Sequence, residues 1–354
     1  MRETWNTFFA TLPFTVTLMW TVILLLDYKE SGRARKFLTL FSLTCCILYL
    51  AHAVHFVRGK TETDWVDCVY TFCHLAVYPL YYIYIRILTD ASKVRWKEYW
   101  VLLPAFGIAL AEGIVVLAGR EPVWILRLSD LVFPLEILLV FVFGYRRLRR
   151  FNRDMENIYA DTEGKSLRPI LLLLVIFALS SFVSVVSSLV GRDLFLDSPL
   201  LAIPSSVLTT MIFAVLYVGY RQDFSADRLE DDLRESLELT TEPSSQDDLL
   251  CRIRKEMEEN EMYRRQGLKI SDLSAAVMSN RTYVSNCINK NTGQSFSDFV
   301  NTYRVEYVKR CLKSDPEANI SDLGTRAGFS GESVFFRNFK KATGRTPSEW
   351  LRLQ

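Results

Sequence analysis

The chain is poor in residues that anchor metal or redox chemistry. It has three histidines, and its seven cysteines stand at 45, 46, 68, 73, 251, 287 and 311, without the paired spacing of a disulfide framework or a zinc site. Cys251, Cys287 and Cys311 fall on predicted soluble helices and read as small core residues in a reducing compartment. No phosphate-cradling glycine loop, nucleophile elbow or metalloprotease motif occurs, so neither a cofactor nor a catalytic site is expected. Beyond Arg221 the sequence also lacks any long hydrophobic run. That last absence matters because the preceding residues are full of them. The net charge of +2 and the mean hydropathy of +0.12 average over two unlike halves.

Seven blocks approach the length needed to cross about 30 Å of hydrocarbon: Phe8–Leu26, Phe37–Phe56, Val66–Leu88, Tyr99–Ala118, Trp124–Gly144, Pro169–Val190 and Ser198–Tyr220. The first lacks a small-residue cleavage site behind it and reads as a retained span, not a leader. Basic residues concentrate in alternate loops: Lys29, Arg33, Arg35 and Lys36 in the first; Arg86, Lys93, Arg95 and Lys97 in the third; "YRRLRRFNRD", Lys165 and Arg168 in the fifth. The positive-inside rule then puts these loops and the carboxyl terminus in the cytoplasm and the amino terminus outside, as an odd number of spans requires. Trp5, Trp65, Trp96, Trp100, Tyr145 and Tyr220 suit interfacial anchoring.

Carboxyl groups at membrane depth are costly, so Glu112, Asp130 and Glu136 are candidates for a ligand or proton pocket, with interhelical bonding as the alternative. His52, His55 and His74, and the serines at 180, 181, 184, 187 and 188, read as interhelical packing and bonding. From Arg221 to Asp248 runs an acidic linker ending in "TTEPSSQDD", in which Leu229, Leu233 and Leu237 recur every four residues without sustaining a coiled-coil seam.

The rest repeats itself. "ISDLSAAVMSNRTYVSNCINKNTG" (Ile270 to Gly293) returns as "ISDLGTRAGFSGESVFFRNFKKATG" (Ile320 to Gly344), which implies two equivalent structural units. Each predicts a short helix, a tight turn and a second helix. In the second copy Gly328 supplies the turn, Phe329 plugs the core, Ser330 is placed to cap the next helix, and Phe335 and Phe339 share its buried face. Glu332, Ser333, Phe336, Arg337 and Lys340 then face outward. In the first copy Val284 and Ile288 take the buried role and leave Arg281, Thr282, Ser285, Asn286 and Asn289 outside. One such face alone is an ordinary solvated surface; two with matching polar placement point to the major groove, where amide and guanidinium forks match base edges.

The stretch Ser295 to Ser314 reads as one helix joining the copies. At about 1.5 Å per residue it is close to the roughly 34 Å between successive major grooves. From Leu268 onward there are 13 Lys/Arg against 8 Asp/Glu, the right sign for phosphate contact. Arg281, Lys290, Lys340, Lys341 and Arg345 are the phosphate candidates.

Over about Leu249 to Gln354 the sequence resembles the AraC/XylS family of bacterial transcription regulators. The likeness rests on "AGFSGESVFFRNFKKATGRTPSEW", with Gly328, Phe329, Ser330, Phe339, Lys340, Lys341, Gly344, Pro347 and Ser348. It implies a seven-helix DNA-binding domain, recognition helices near Asn280 to Asn291 and Gly331 to Thr343, and base contacts from Thr282, Ser285, Asn286, Glu332, Ser333, Phe336 and Arg337. Two positions depart from the pattern: Met278 replaces the first unit's turn glycine, and Phe336 occupies an outward position often held by a polar residue.

The expectation is therefore an all-α chain. A seven-helix transmembrane bundle at 1–220 is followed by the linker at 221–248 and a double helix-turn-helix domain at 249–354, with units at about 268–293 and 318–344. It implies a multi-pass protein of the bacterial inner membrane whose partners are double-stranded DNA, membrane lipid and an unidentified small-molecule or membrane signal, with RNA polymerase and a second copy as further candidates. The rival classes are a transporter and an intramembrane enzyme with a fused regulatory domain.

Overall fold

A computed structural model describes residues 2–58, 65–90, 96–190, 202–222, 229 and 246–353. Among them the chain is helical, with a single isolated bridge between Tyr159 and Lys269. It divides into two compact units: residues 1–149 with 167–227, and residues 150–166 with 228–354. Most of the acidic linker, including Leu233 and Leu237, lies outside the described residues.

In the first unit, helices α1 (Arg2–Leu26), α2 (Arg33–Arg58) and α3 (Trp65–Thr89) pack in sequence. A 3₁₀ turn (Trp96–Leu102) leads into α4 (Leu103–Leu117) against α3, and α7 (Ala202–Arg221) returns to α1, α2 and α6 (Arg168–Val190). Four helical stretches are long and apolar enough to cross a membrane: Trp5–Leu26, Arg33–His55, Trp65–Thr89 and Glu98–Leu117. The expectation of seven is thus met for four. Arg168–Ser181 and Ser205–Arg221 are shorter apolar segments, and α5 (Val123–Ile158) carries Arg127, Asp130 and Glu136 within its apolar part. α5 also runs well past the expected end at Gly144.

The outer surface of this unit is apolar where that of a water-soluble bundle is polar. Leu103, Phe106, Leu110, Ile114 and Leu117 of α4 are exposed, as are Leu131, Leu135, Leu138 and Phe143 of α5. Inside lie Thr17, Thr21, Ser42, Glu112, Ser181 and Arg86. These polar groups find partners across helices: Thr21 and Ser42 hydroxyls meet at 2.9 Å, Tyr78 bonds Ser181, and the Arg86 guanidinium pairs with Glu98. Pro13 has no N–H for the carbonyl of Phe9 one turn earlier, and the Ser205 hydroxyl of α7 donates to that carbonyl instead. Arg35 donates to Asp27 at 2.6 Å and to the Tyr220 carbonyl at the end of α7 at 3.1 Å, so a residue counted as a loop charge also closes a helix terminus.

In the second unit α8 (Gln246–Glu258) buries Leu249, Ile253 and Met257 at four-residue spacing. Helices α9 (Ile270–Ala276) and α10 (Arg281–Thr292) form the first helix-turn-helix; α12 (Ile320–Arg326) and α13 (Glu332–Thr343) form the second. The 19-residue α11 (Phe296–Ser314) lies between them, touching α10 on one side and α12 and α13 on the other, and α14 (Pro347–Leu351) closes on α13. One apolar core joins all of these, including Phe296, Phe299, Phe329, Phe335, Phe339 and Trp350. Gly324 allows α12 and α13 to approach, since a Cβ there would sit 2.7 Å from the Phe335 ring.

Candidate nucleic-acid interface

The first recognition helix and two of its neighbours are fixed at their starts by side-chain caps. Asn280 caps α10, its Oδ1 accepting from the Tyr283 N–H at 2.9 Å. Ser295 caps the connecting helix through Asp298 N–H at 3.1 Å, and Asn319 caps α12 by accepting from Ser321 and Asp322. For α13 the expected cap at Ser330 is not formed. The N-cap is Gly331, with no side-chain bond, because helical residues begin one position later than a Ser330 cap requires.

The two turns solve one problem differently. Gly328 has φ of 96°, and a Cβ there would lie 2.5 Å from the Arg264 carbonyl oxygen. Met278 adopts the same left-handed region at φ of 50°, with its side chain 71% exposed, as the missing turn glycine foretold. The turn around Met278 is held from both sides: Val277 is buried, and its carbonyl accepts from Arg252 of α8 at 2.6 Å. Around Gly328, Arg264 donates to the Arg326 carbonyl at 3.1 Å and Gln266 to the Phe329 carbonyl at 3.3 Å.

Val284, Cys287 and Ile288 face the core on α10, and Val334, Phe335 and Phe339 on α13. This leaves Thr282, Asn286 and Lys290 exposed on the first helix, with Arg281 and Ser285 half-buried. On the second, Glu332, Ser333, Arg337, Lys340 and Lys341 are exposed, and Arg345 follows them. Phe336 is half-buried and packs its ring 5.1 Å from that of Phe335, so it belongs partly to the core.

Several outward side chains are already engaged. Ser321 donates to Glu332 at 2.6 Å, Asn289 to Ser285 at 3.3 Å, and Lys341 pairs with Asp298 of the connecting helix at 2.5 Å. Arg337 lies 3.8 Å from the Glu163 carboxylate. Sequence reasoning did not single out Ser321, Asp298 or Glu163. Asp298 was reachable, since it sits in the first turn of a helix led by a capping serine; Glu163 belongs to a loop with no motif.

Beneath the surface Arg304 is fully buried. Its guanidinium donates to the carbonyls of Tyr263 at 2.7 Å and Arg265 at 2.9 Å, and to Asn301 Oδ1 at 3.4 Å, and lies over the Phe329 ring. Burial pushes its pKa down to about 10, opposed by the charge of Asp161, which leaves it cationic at neutral pH. It ties the connecting helix to the 262–265 turn and, through Phe329, to the second helix-turn-helix.

The membrane candidates are placed separately. Glu112 is buried on α4 and Glu136 on α5, whereas Asp130 is exposed on α5. The histidines surround Tyr70, with ring centroids 6.4 Å (His52), 6.0 Å (His55) and 5.5 Å (His74) away, and His55 Nε2 lies 3.3 Å from Asp67. The serines at 184, 187 and 188 have side chains outside the described residues.

Two short helix pairs that each present a polar second helix, joined by a common spacer helix, define a double helix-turn-helix unit. Residues 273–353 match the family model described as a helix-turn-helix domain. A stretch of 90 residues, 25% of this chain, is 32% identical to an uncharacterized HTH-type transcriptional regulator of Staphylococcus aureus (strain MSSA476), covering 12% of that protein. Over 76 residues the chain is 33% identical to the uncharacterized transcriptional regulatory protein YesN of Bacillus subtilis (strain 168), covering 21% of each chain. The likeness therefore spans a small part of these relatives. No solved structure matches. Residues 273–353 thus form an AraC-type helix-turn-helix domain.

Proposed function

We propose that the chain is a membrane-tethered, sequence-specific transcription regulator whose apolar amino-terminal unit receives a signal and governs DNA binding by the carboxyl-terminal unit. The observation that carries this reading is the pair of polar recognition faces, α10 and α13, packed against one 19-residue helix. That helix is about 28 Å long, comparable to the roughly 34 Å groove repeat, so a single chain can place both faces in adjacent major grooves. Thr282, Ser285, Asn286, Ser333 and Arg337 are suited to base edges, and Arg281, Lys290, Lys340, Lys341 and Arg345 to phosphates.

The apolar outer surface of the first unit supports insertion in lipid through the four long apolar helices, with α5, α6 and α7 completing seven crossings, the amino terminus outside and the DNA-binding unit in the cytoplasm. Buried Glu112 and Glu136 are the groups there suited to meeting a ligand or proton. The test is selection of random duplexes by the full-length protein in lipid nanodiscs. Enrichment of a two-part site whose halves lie about one helical turn apart is expected. Recovery of the pool unchanged, or of the protein from the soluble fraction of lysed cells, would refute the reading.

A further inference from the structure

We infer that residues 159–166 form an acidic strap, built into the DNA-binding unit, that competes with DNA for Arg337. This rests on the DNA-binding reading above and adds a means of regulating that site. By sequence the segment belongs to the fifth loop, between two apolar blocks, yet it folds with the carboxyl-terminal unit.

Its anchor is buried. Ala160 and Tyr159 are 0% and 1% exposed. The Ala160 N–H donates to the Leu268 carbonyl at 3.0 Å, and its own carbonyl accepts from Ser297 Oγ at 2.8 Å and Asn301 Nδ2 at 3.1 Å, both donors on the connecting helix. Two buried side chains are thus committed to one main-chain oxygen, which is more than a loop in passing contact would hold. Beyond the anchor the strap folds on itself. The Glu163 N–H donates to Asp161 Oδ1 at 3.0 Å, the Lys165 and Ser166 N–H groups donate to the Thr162 carbonyl, and the Lys165 ammonium sits 3.5 Å from the centre of the Tyr159 ring. These bonds direct the Glu163 carboxylate to 3.8 Å from the Arg337 guanidinium on the exposed face of α13.

The consequence for DNA follows from that pair: Arg337 must release a carboxylate before it can reach a base. The pair is half-exposed, at 55% and 46%, so it acts as a modest brake and not a lock. The strap is also the direct continuation of α5, whose first residues belong to the other unit. A displacement of that helix can therefore lift the strap without passing through the linker.

The experiment uses the full-length protein in nanodiscs and the duplex that the wild type enriches from a random pool. Glu163→Gln should bind that duplex about two- to fivefold more tightly, and should give no gain when added to Arg337→Ala. An unchanged affinity would overturn the strap, as would an equal gain in the Arg337→Ala background, which would mean a general charge effect. A wild type that enriches a site while Glu163→Gln does nothing overturns the strap alone. A wild type that enriches nothing overturns the regulator reading and the strap with it.

Discussion

Met278 and Gly328 occupy equivalent turns, and only Gly328 is free of the strain that a side chain meets at positive φ. A left-handed non-glycine residue costs about 1–2 kcal/mol, while glycine's greater freedom in the unfolded chain returns about 0.5–1 kcal/mol of that. Met278→Gly should accordingly stabilise the unit by about 0.5–1 kcal/mol in denaturant unfolding. Gly328→Ala should do the opposite and lose more than about 2 kcal/mol, because its methyl would press on the Arg264 backbone. Arg304 makes a third test at this scale. A lysine has one ammonium with which to reach the Tyr263 and Arg265 carbonyls and Asn301, so Arg304→Lys should cost about 1–3 kcal/mol, read as a lowered unfolding midpoint.

Among the elements, α13 on the proposed reading divides its outward residues into readers and holders. Arg337→Ala should cost about 1–3 kcal/mol on the preferred site and relax selection at one base position. Lys341→Ala should weaken all duplexes alike and lower the slope of log affinity against log salt by about one, offset in part because Lys341 leaves Asp298 to meet phosphate. Binding titrations across salt on enriched and scrambled duplexes separate the two. This helix was legible from sequence because its signals are of types that pattern carries: Phe335 and Phe339 one turn apart, a turn glycine with Phe329 behind it, and a closing Thr-Gly pair. The first unit was read by analogy with the second, and its Met278 correctly marked the strained turn. Ser330 misled because a serine and a glycine in succession both suit a cap, and backbone geometry chose the glycine. The count of spans was the least legible part. Apolar length identifies helices with few charges, but α5 places Arg127, Asp130 and Glu136 among its leucines.

At the scale of the molecule, the second unit is assembled from two separate stretches of chain. Nothing in "NIYADTEGKS" announced this, since an alanine held through its main-chain N–H and C=O leaves no trace in side-chain pattern. A fragment of residues 246–354 should fold less stably than the same unit in the whole chain, because Ser297 and Asn301 lose the carbonyl they share. Adding a peptide of residues 150–166 should raise its melting temperature in proportion to the logarithm of peptide concentration once the peptide is in excess. A melting temperature indifferent to the peptide would show that the niche is not preformed.

Such interleaving bears on how hybrids of this protein can be made. Grafting the reader onto a foreign anchor by joining at the acidic linker would bring along the niche but leave its native occupant behind. A working chimera would need three junctions, one at the linker and one on either side of residues 150–166, so that host and guest are spliced as a pair.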